Sequence, residues 1–118
     1  MLKLAKEITI YVSNQSVDGR KSIDGLAALI IEAFSGVLMD GSVYVFYNQA
    51  RNRVKCLFWD KNGFVLYQKR LERGRFRMQQ FKESGCYSIT VNQLDWLLAG
   101  LEFDLMHQFS ELDYSNYF

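Results

Sequence analysis

Three runs of β-forming residues follow one another in the middle of the chain with very little between them. They are Ser42-Val43-Tyr44-Val45-Phe46-Tyr47, Arg53-Val54-Lys55-Cys56-Leu57-Phe58-Trp59 and Gly63-Phe64-Val65-Leu66-Tyr67-Gln68-Lys69. β-Branched and aromatic side chains suit a pleated, half-buried surface. Asn48-Gln49-Ala50-Arg51-Asn52 and Asp60-Lys61-Asn62-Gly63 separate the runs, the second containing an Asn-Gly turn signal. Connections this short join antiparallel neighbours, because a parallel pair needs a crossover of about a dozen residues or more. The centre is therefore predicted to be an antiparallel meander. A fourth run, Arg75-Phe76-Arg77-Met78, alternates basic with apolar residues. It is predicted as a further strand, with Arg75 and Arg77 on one face and Phe76 and Met78 on the other.

Ile8-Thr9-Ile10-Tyr11-Val12 reads as an earlier strand running into the polar stretch from Ser13 to Ser16, and Asp18-Gly19 as a turn. From Ile23 the residues Leu26, Ala27, Ile30, Ile31 and Phe34 recur at spacings of three and four, with Ala28 and Leu29 widening the stripe. That spacing predicts a largely buried helix stopped by Gly36. Thr90 with Gln93 forms the sequence pattern of a capping box ahead of Leu94, Trp96, Leu97, Leu98 and Leu101, with Gly100 as the stop. The expected fold class is α+β: an antiparallel meander sheet packed by two main helices, Ile23 to Phe34 and Val91 to Ala99.

With 118 residues, 49% of them hydrophobic, the chain has enough apolar surface for one core and too much for intrinsic disorder. Proline is absent and no repeat or Ser/Gly-rich linker marks a boundary. A single domain over residues 1–118 is expected, with 102–118 as an acidic, aromatic C-terminal tail. Lys3, Lys6 and Glu7 break up the apolar residues at the start, as a secretory signal does not, and no run of about 18 apolar residues offers a membrane span. The expected setting is the cytoplasm, away from membranes, with Cys56 and Cys86 as free thiols.

A formal net charge of +1 conceals a strong asymmetry. Between Arg51 and Lys82 ten Lys and Arg face only Asp60 and Glu72, a balance of +8, while the rest of the chain carries −7. From Glu83 onward there are six carboxylates and no Lys or Arg. A basic segment of this kind attracts polyanions or the chain's own acidic part.

Catalytic signatures are missing. His107 is the single histidine and has no cysteine near it, so neither a zinc site, with its three or four ligands, nor a Ser-His-Asp arrangement is expected. The glycines form no phosphate-binding GxxxxGK[ST] or GxGxxG run, and the spacing of the carboxylates picks out no metal site. No enzyme activity, cofactor or metal is expected. Lys69-Arg70-Leu71-Glu72-Arg73-Gly74-Arg75-Phe76-Arg77 differs in kind: five cations lie within nine residues, Gly74 lets the backbone bend, and Phe76 is available for stacking. Guanidinium groups fork onto phosphates and reach guanine edges. Arg51, Arg53 and Lys55 extend the same surface if their strand lies beside the next one. The DNA-binding candidates are therefore Arg51, Arg53, Lys55, Lys69, Arg70, Arg73, Arg75 and Arg77. The alternative for the same residues is pairing with the acidic tail or solvation of a sheet face.

Three ordered segments carry a family resemblance. The run from Asn52 through Trp59-Asp60, Gly63-Phe64 and Lys69-Arg70-Leu71-Glu72 to Gly74-Arg75-Phe76 is one; Asp18-Gly19-Arg20-Lys21-Ser22-Ile23-Asp24-Gly25-Leu26 is another; Thr90, Gln93, Leu94, Leu97, Leu98 and Gly100 form the third. Together they resemble the TnpB accessory proteins (second reading frame) encoded beside the transposase in insertion sequences of the sixty-six group. These share only a name with the much longer RNA-guided nuclease. The resemblance implies a role in transposition separate from the strand chemistry of the transposase. The basic segment points to DNA as partner, and the meander edge or the aromatic acidic tail to the transposase or a sister accessory protein as the alternative. Ser22 stands where the family commonly has Gly, Gln49 and Ala50 replace basic residues, and the tail after Gly100 follows no family pattern.

Overall fold

In the computed structural model, which describes residues 4, 5 and 7–100, the strand-forming runs and helical stripes assemble around one sheet. The acidic tail from 102 to 118, with His107, lies outside the described residues. In chain order the elements are β1 (Ile10–Ser13), α1 (Ile23–Ala33), β2 (Val43–Tyr47), β3 (Arg53–Asp60), β4 (Gly63–Arg70), β5 (Cys86–Ile89) and α2 (Val91–Leu98). The fold is α+β, and the meander predicted for the centre is present as β2-β3-β4.

The five strands lie in the order β4-β3-β2-β1-β5. β1 enters parallel to β2, with Ile10 beside Val43, because α1 carries the chain back along the sheet between them. β5 then pairs antiparallel with the free side of β1. The sheet is thus mostly antiparallel with one parallel pair.

β2 is buried at every position, and its sequence, Val-Tyr-Val-Phe-Tyr, is correspondingly apolar throughout. Val43, Val45 and Tyr47 face a core shared with Leu94, Leu97 and Leu98 of α2. Tyr44 and Phe46 face a second core with Leu26 and Ile30 of α1. The two helices therefore cover opposite faces of the sheet. α1 is less buried than its stripe predicts: Leu26 and Ile30 are fully enclosed, whereas Ala28, Ile31 and Ala33 are exposed. A single helix against one sheet face buries only the side it turns inward, and nothing among the described residues packs on its outer side.

Local chemistry sets the ends. Thr90 Oγ1 accepts from the Gln93 N–H at 3.1 Å while Gln93 Oε1 accepts from the Thr90 N–H at 2.8 Å, so the capping box is complete. Gly100 takes the left-handed conformation (φ 86°) just past α2. At the end of α1 the left-handed residue is Ser35 (φ 53°), and Gly36 serves a different need. A Cβ on Gly36 would lie 2.5 Å from Tyr44 Oη and 2.7 Å from Ile30 Cγ2, so the absent side chain permits close approach. The β3–β4 turn also differs in detail: Asp60 pairs with Gly63, leaving Lys61 and Asn62 as the two-residue loop, with Lys61 at φ 52°.

The run Arg75 to Met78 is not a strand. β4 is an edge strand, yet the segment does not pair with it: burial of Phe76 and Met78 in the α2-side core draws it across that face as a strap, with Arg75 and Arg77 exposed. The alternation marked which side chains face inward, without any ladder to go with it.

Candidate nucleic-acid interface

Strand alternation distributes the basic residues before any partner is considered. Arg53 and Arg70 are directly opposite across β3 and β4, and Lys55 lies two residues along from Arg53, so these three point to the α1 face. Lys69 is opposite Val54, whose side chain belongs to the α2 core, and so points to the other face. The eight candidates do not share one sheet face.

Two of them are committed to the fold. Lys55 Nζ donates to the carbonyls of Gly19 (2.9 Å) and Lys21 (2.6 Å), tying the segment that leads into α1 to the sheet. Lys69 Nζ donates to the Leu98 carbonyl at 2.7 Å. That carbonyl belongs to the last turn of α2, where the helix dipole favours a cation.

The remaining arginines are gathered at one end of the sheet. Asn48 organises that end: its Oδ1 accepts from the N–H groups of Asn52 and Arg53, and its Nδ2 donates to Asn52 Oδ1 at 2.7 Å. The loop so formed holds Arg51 at φ 60°, an uncommon conformation for a residue with a side chain. The Arg51 carbonyl accepts from the Phe76 N–H and the Asn52 carbonyl from the Leu71 N–H. Arg51 Nη2 also donates to Gln80 Oε1 at 2.8 Å. The strap is therefore anchored beside the loop, by these bonds and by Phe76, which is 1% exposed. Arg73, Arg75 and Arg77 project outward from it. Asn48 and Gln80 escaped the sequence reading; an Asn opening a short strand connection is the one signal that pointed to the former.

Among the described residues, the carboxylates near this end are already occupied. Glu72 Oε1 is 2.9 Å from Arg70 Nη2, and Asp18 accepts from both Nε and Nη2 of Arg20. The Arg20 hydrogen bonds hold the Asp18 carboxyl well below its ordinary range, and the same pairing raises Arg20. Arg51, Arg53, Arg70, Arg73 and Arg75 thus lie at the same end of the sheet, Arg53 and Arg70 on its α1 face and the strap that carries Arg73 and Arg75 on the α2 side. Exposed guanidinium groups are suited to phosphate oxygens by charge and by forked hydrogen bonds.

Other chemistry finds little support in the side chains. Cys56 is fully buried and its thiol is pushed up to about 12 by burial, which makes it an inert core residue; burial also raises Cys86. Among the described residues no three His, Cys, Asp or Glu side chains are grouped to hold a metal ion, and no helix is long and apolar enough to cross a membrane.

Comparison with known proteins gives a family match over most of the chain. The model of the family described as IS66 Orf2 like protein matches residues 8–108. The uncharacterized protein y4jC of Sinorhizobium fredii (strain NBRC 101917 / NGR234) is 31% identical over 102 residues, covering 86% of each chain. The uncharacterized protein y4hO of the same strain is 29% identical over 102 residues, covering 86% of this chain and 88% of its own. No solved structure matches.

Proposed function

The chain belongs to the IS66 Orf2 like family of insertion-sequence accessory proteins, and from that premise we propose that it serves transposition by binding DNA in the cytoplasm without catalysing strand chemistry. The observation that supports this reading is the grouping of Arg51, Arg53, Arg70, Arg73 and Arg75 at one end of the sheet, where among the described residues Glu72 is the one acidic side chain paired into the group. The strap arginines stand on an anchored backbone, so little conformational freedom is lost when phosphates engage them. The part of the original surface carried by Lys55 and Lys69 is subtracted, since their ammonium groups hold backbone carbonyls.

The test is duplex binding across a salt series, with element-end DNA and unrelated duplex compared. Binding falls linearly on a log–log scale, by about 0.9 per phosphate neutralised. Arg73→Ala with Arg75→Ala is expected to flatten that slope by roughly two phosphate contacts while the circular dichroism spectrum is unchanged. Equal affinity and equal slope in the double variant would exclude the strap as the contact.

A second reading, assembly with another protein, is favoured by a separate feature. Ile31, Val37 and Met39 are exposed around the end of α1.

A further inference from the structure

Ile31, Val37 and Met39 are 57%, 62% and 63% exposed, an unusual amount for three large apolar side chains within nine residues. Val37 lines an open recess of about 170 Å³ that Tyr11, Phe34, Tyr44 and Asp40 also wall, and Met39 precedes Asp40 in the chain. The Tyr11 and Tyr44 rings stack at 5.3 Å. Glu32 is exposed beside Ile31, and no Lys or Arg occurs anywhere between Ser22 and Ala50. A patch with this rim repels a second copy of itself and attracts a basic segment that also presents apolar or aromatic surface. Aromatic walls beside a carboxylate suit a guanidinium in particular.

The chain carries such a segment. Along the strap Arg73 and Arg75 are exposed, and their long stems supply apolar surface beside the charge. Topology keeps these arginines from the patch of their own molecule. The patch adjoins the start of β2, through Tyr44, whereas Arg73 and Arg75 flank the Asn48–Asn52 loop that follows the end of β2. The two surfaces are at opposite ends of the sheet, with a strand length between them.

We propose that the acidic, apolar end of one molecule receives the Arg73–Arg75 strap of a second copy, so that the protein associates head to tail. The contact joins two different surfaces and so forms a ring or an open chain of molecules. It shares Arg73 and Arg75 with the DNA-binding reading but does not depend on it, and DNA competes with the second copy for the strap.

Sedimentation velocity of the full chain without DNA, from low micromolar to high micromolar concentration, reads this directly. The wild-type sedimentation coefficient rises with concentration and falls back on addition of salt. Ile31→Lys with Met39→Lys spoils the patch, and Arg73→Glu with Arg75→Glu spoils the strap; all four positions are exposed, and each variant is expected to stay folded and monomeric. An equimolar mixture of the two variants recovers a dimer and nothing larger, because each contributes one intact surface. A wild-type protein that stays monomeric, a strap variant that associates as the wild type does, or a mixture that stays monomeric overturns the proposal. DNA binding is read separately on the Ile31→Lys/Met39→Lys variant, which keeps its strap. Self-association without DNA binding removes the DNA reading alone, and DNA binding by a permanently monomeric protein removes this one alone.

Discussion

Arg53 and Arg70 face each other directly across β3 and β4. Like charges in this position oppose strand pairing, by roughly 0.2–1 kcal/mol, and Glu72 offsets the charge of Arg70 only. A pair that weakens its own sheet is accounted for if an anion normally sits over it. Arg53→Thr places a good strand former there and is expected to raise the urea midpoint slightly while weakening DNA binding. A lower midpoint would assign Arg53 to the fold instead.

Lys69 offers the opposite case. Replacing it by Met keeps the stem and removes the donor to the Leu98 carbonyl. The expected loss is about 1–2 kcal/mol of stability, the range for a charge-assisted bond at a helix C-terminus, seen in urea unfolding. The salt dependence of DNA binding should stay as in the wild type; a slope reduced by a full phosphate contact would show that the ammonium reaches DNA.

Gly36→Ala tests the close approach at the end of α1. The new methyl group meets the buried Tyr44 ring and Ile30, and overpacking of this kind costs about 1–3 kcal/mol. A thermal midpoint equal to the wild type would mean that the loop yields without cost.

Alkaline stability follows from Cys56. Its thiol titrates near 9 when exposed and is pushed up to about 12 by burial. Above pH 9 the unfolded chain therefore binds fewer protons than the folded one, and stability falls as pH rises, with a slope approaching 1.4 kcal/mol per pH unit for this one group. Tyr44, Tyr47, Tyr67 and Tyr87, all raised chiefly by burial, steepen the loss further up the scale. Urea midpoints at pH 8, 9 and 10 are expected to decline, and Cys56→Ala to lessen the earliest part of the decline, to which Cys86, also raised by burial, contributes. A flat profile over that interval contradicts the burial of the thiol.

How much of this was legible beforehand depends on the range of the interaction. The meander over Val43 to Arg70, the Thr90–Gln93 capping box, the Asp18-Gly19 turn and the in–out alternation of Arg75 to Met78 were all readable, because each is settled by neighbours a few residues apart. The short strand Cys86–Ile89 was not recognised as one. Its four residues carry little periodic signal, and what makes them a strand is the open side of β1.

For the site, the sequence by itself determined that positive charge concentrates between Arg51 and Lys82, and the family motifs placed the chain among insertion-sequence accessory proteins. Only the tertiary structure decided which of those charges are available. Lys55 and Lys69 look no different from their neighbours in the sequence, yet each lies within reach of carbonyls that are 34 and 29 residues away along the chain. A backbone acceptor has no sequence signature, since every residue supplies one carbonyl, so its capture by a distant ammonium emerges only when the sheet and helices are packed. The same packing turned the basic run from a fourth strand into a strap, by burying Phe76 and Met78 in the α2-side core, and brought its arginines to the Asn48–Asn52 loop.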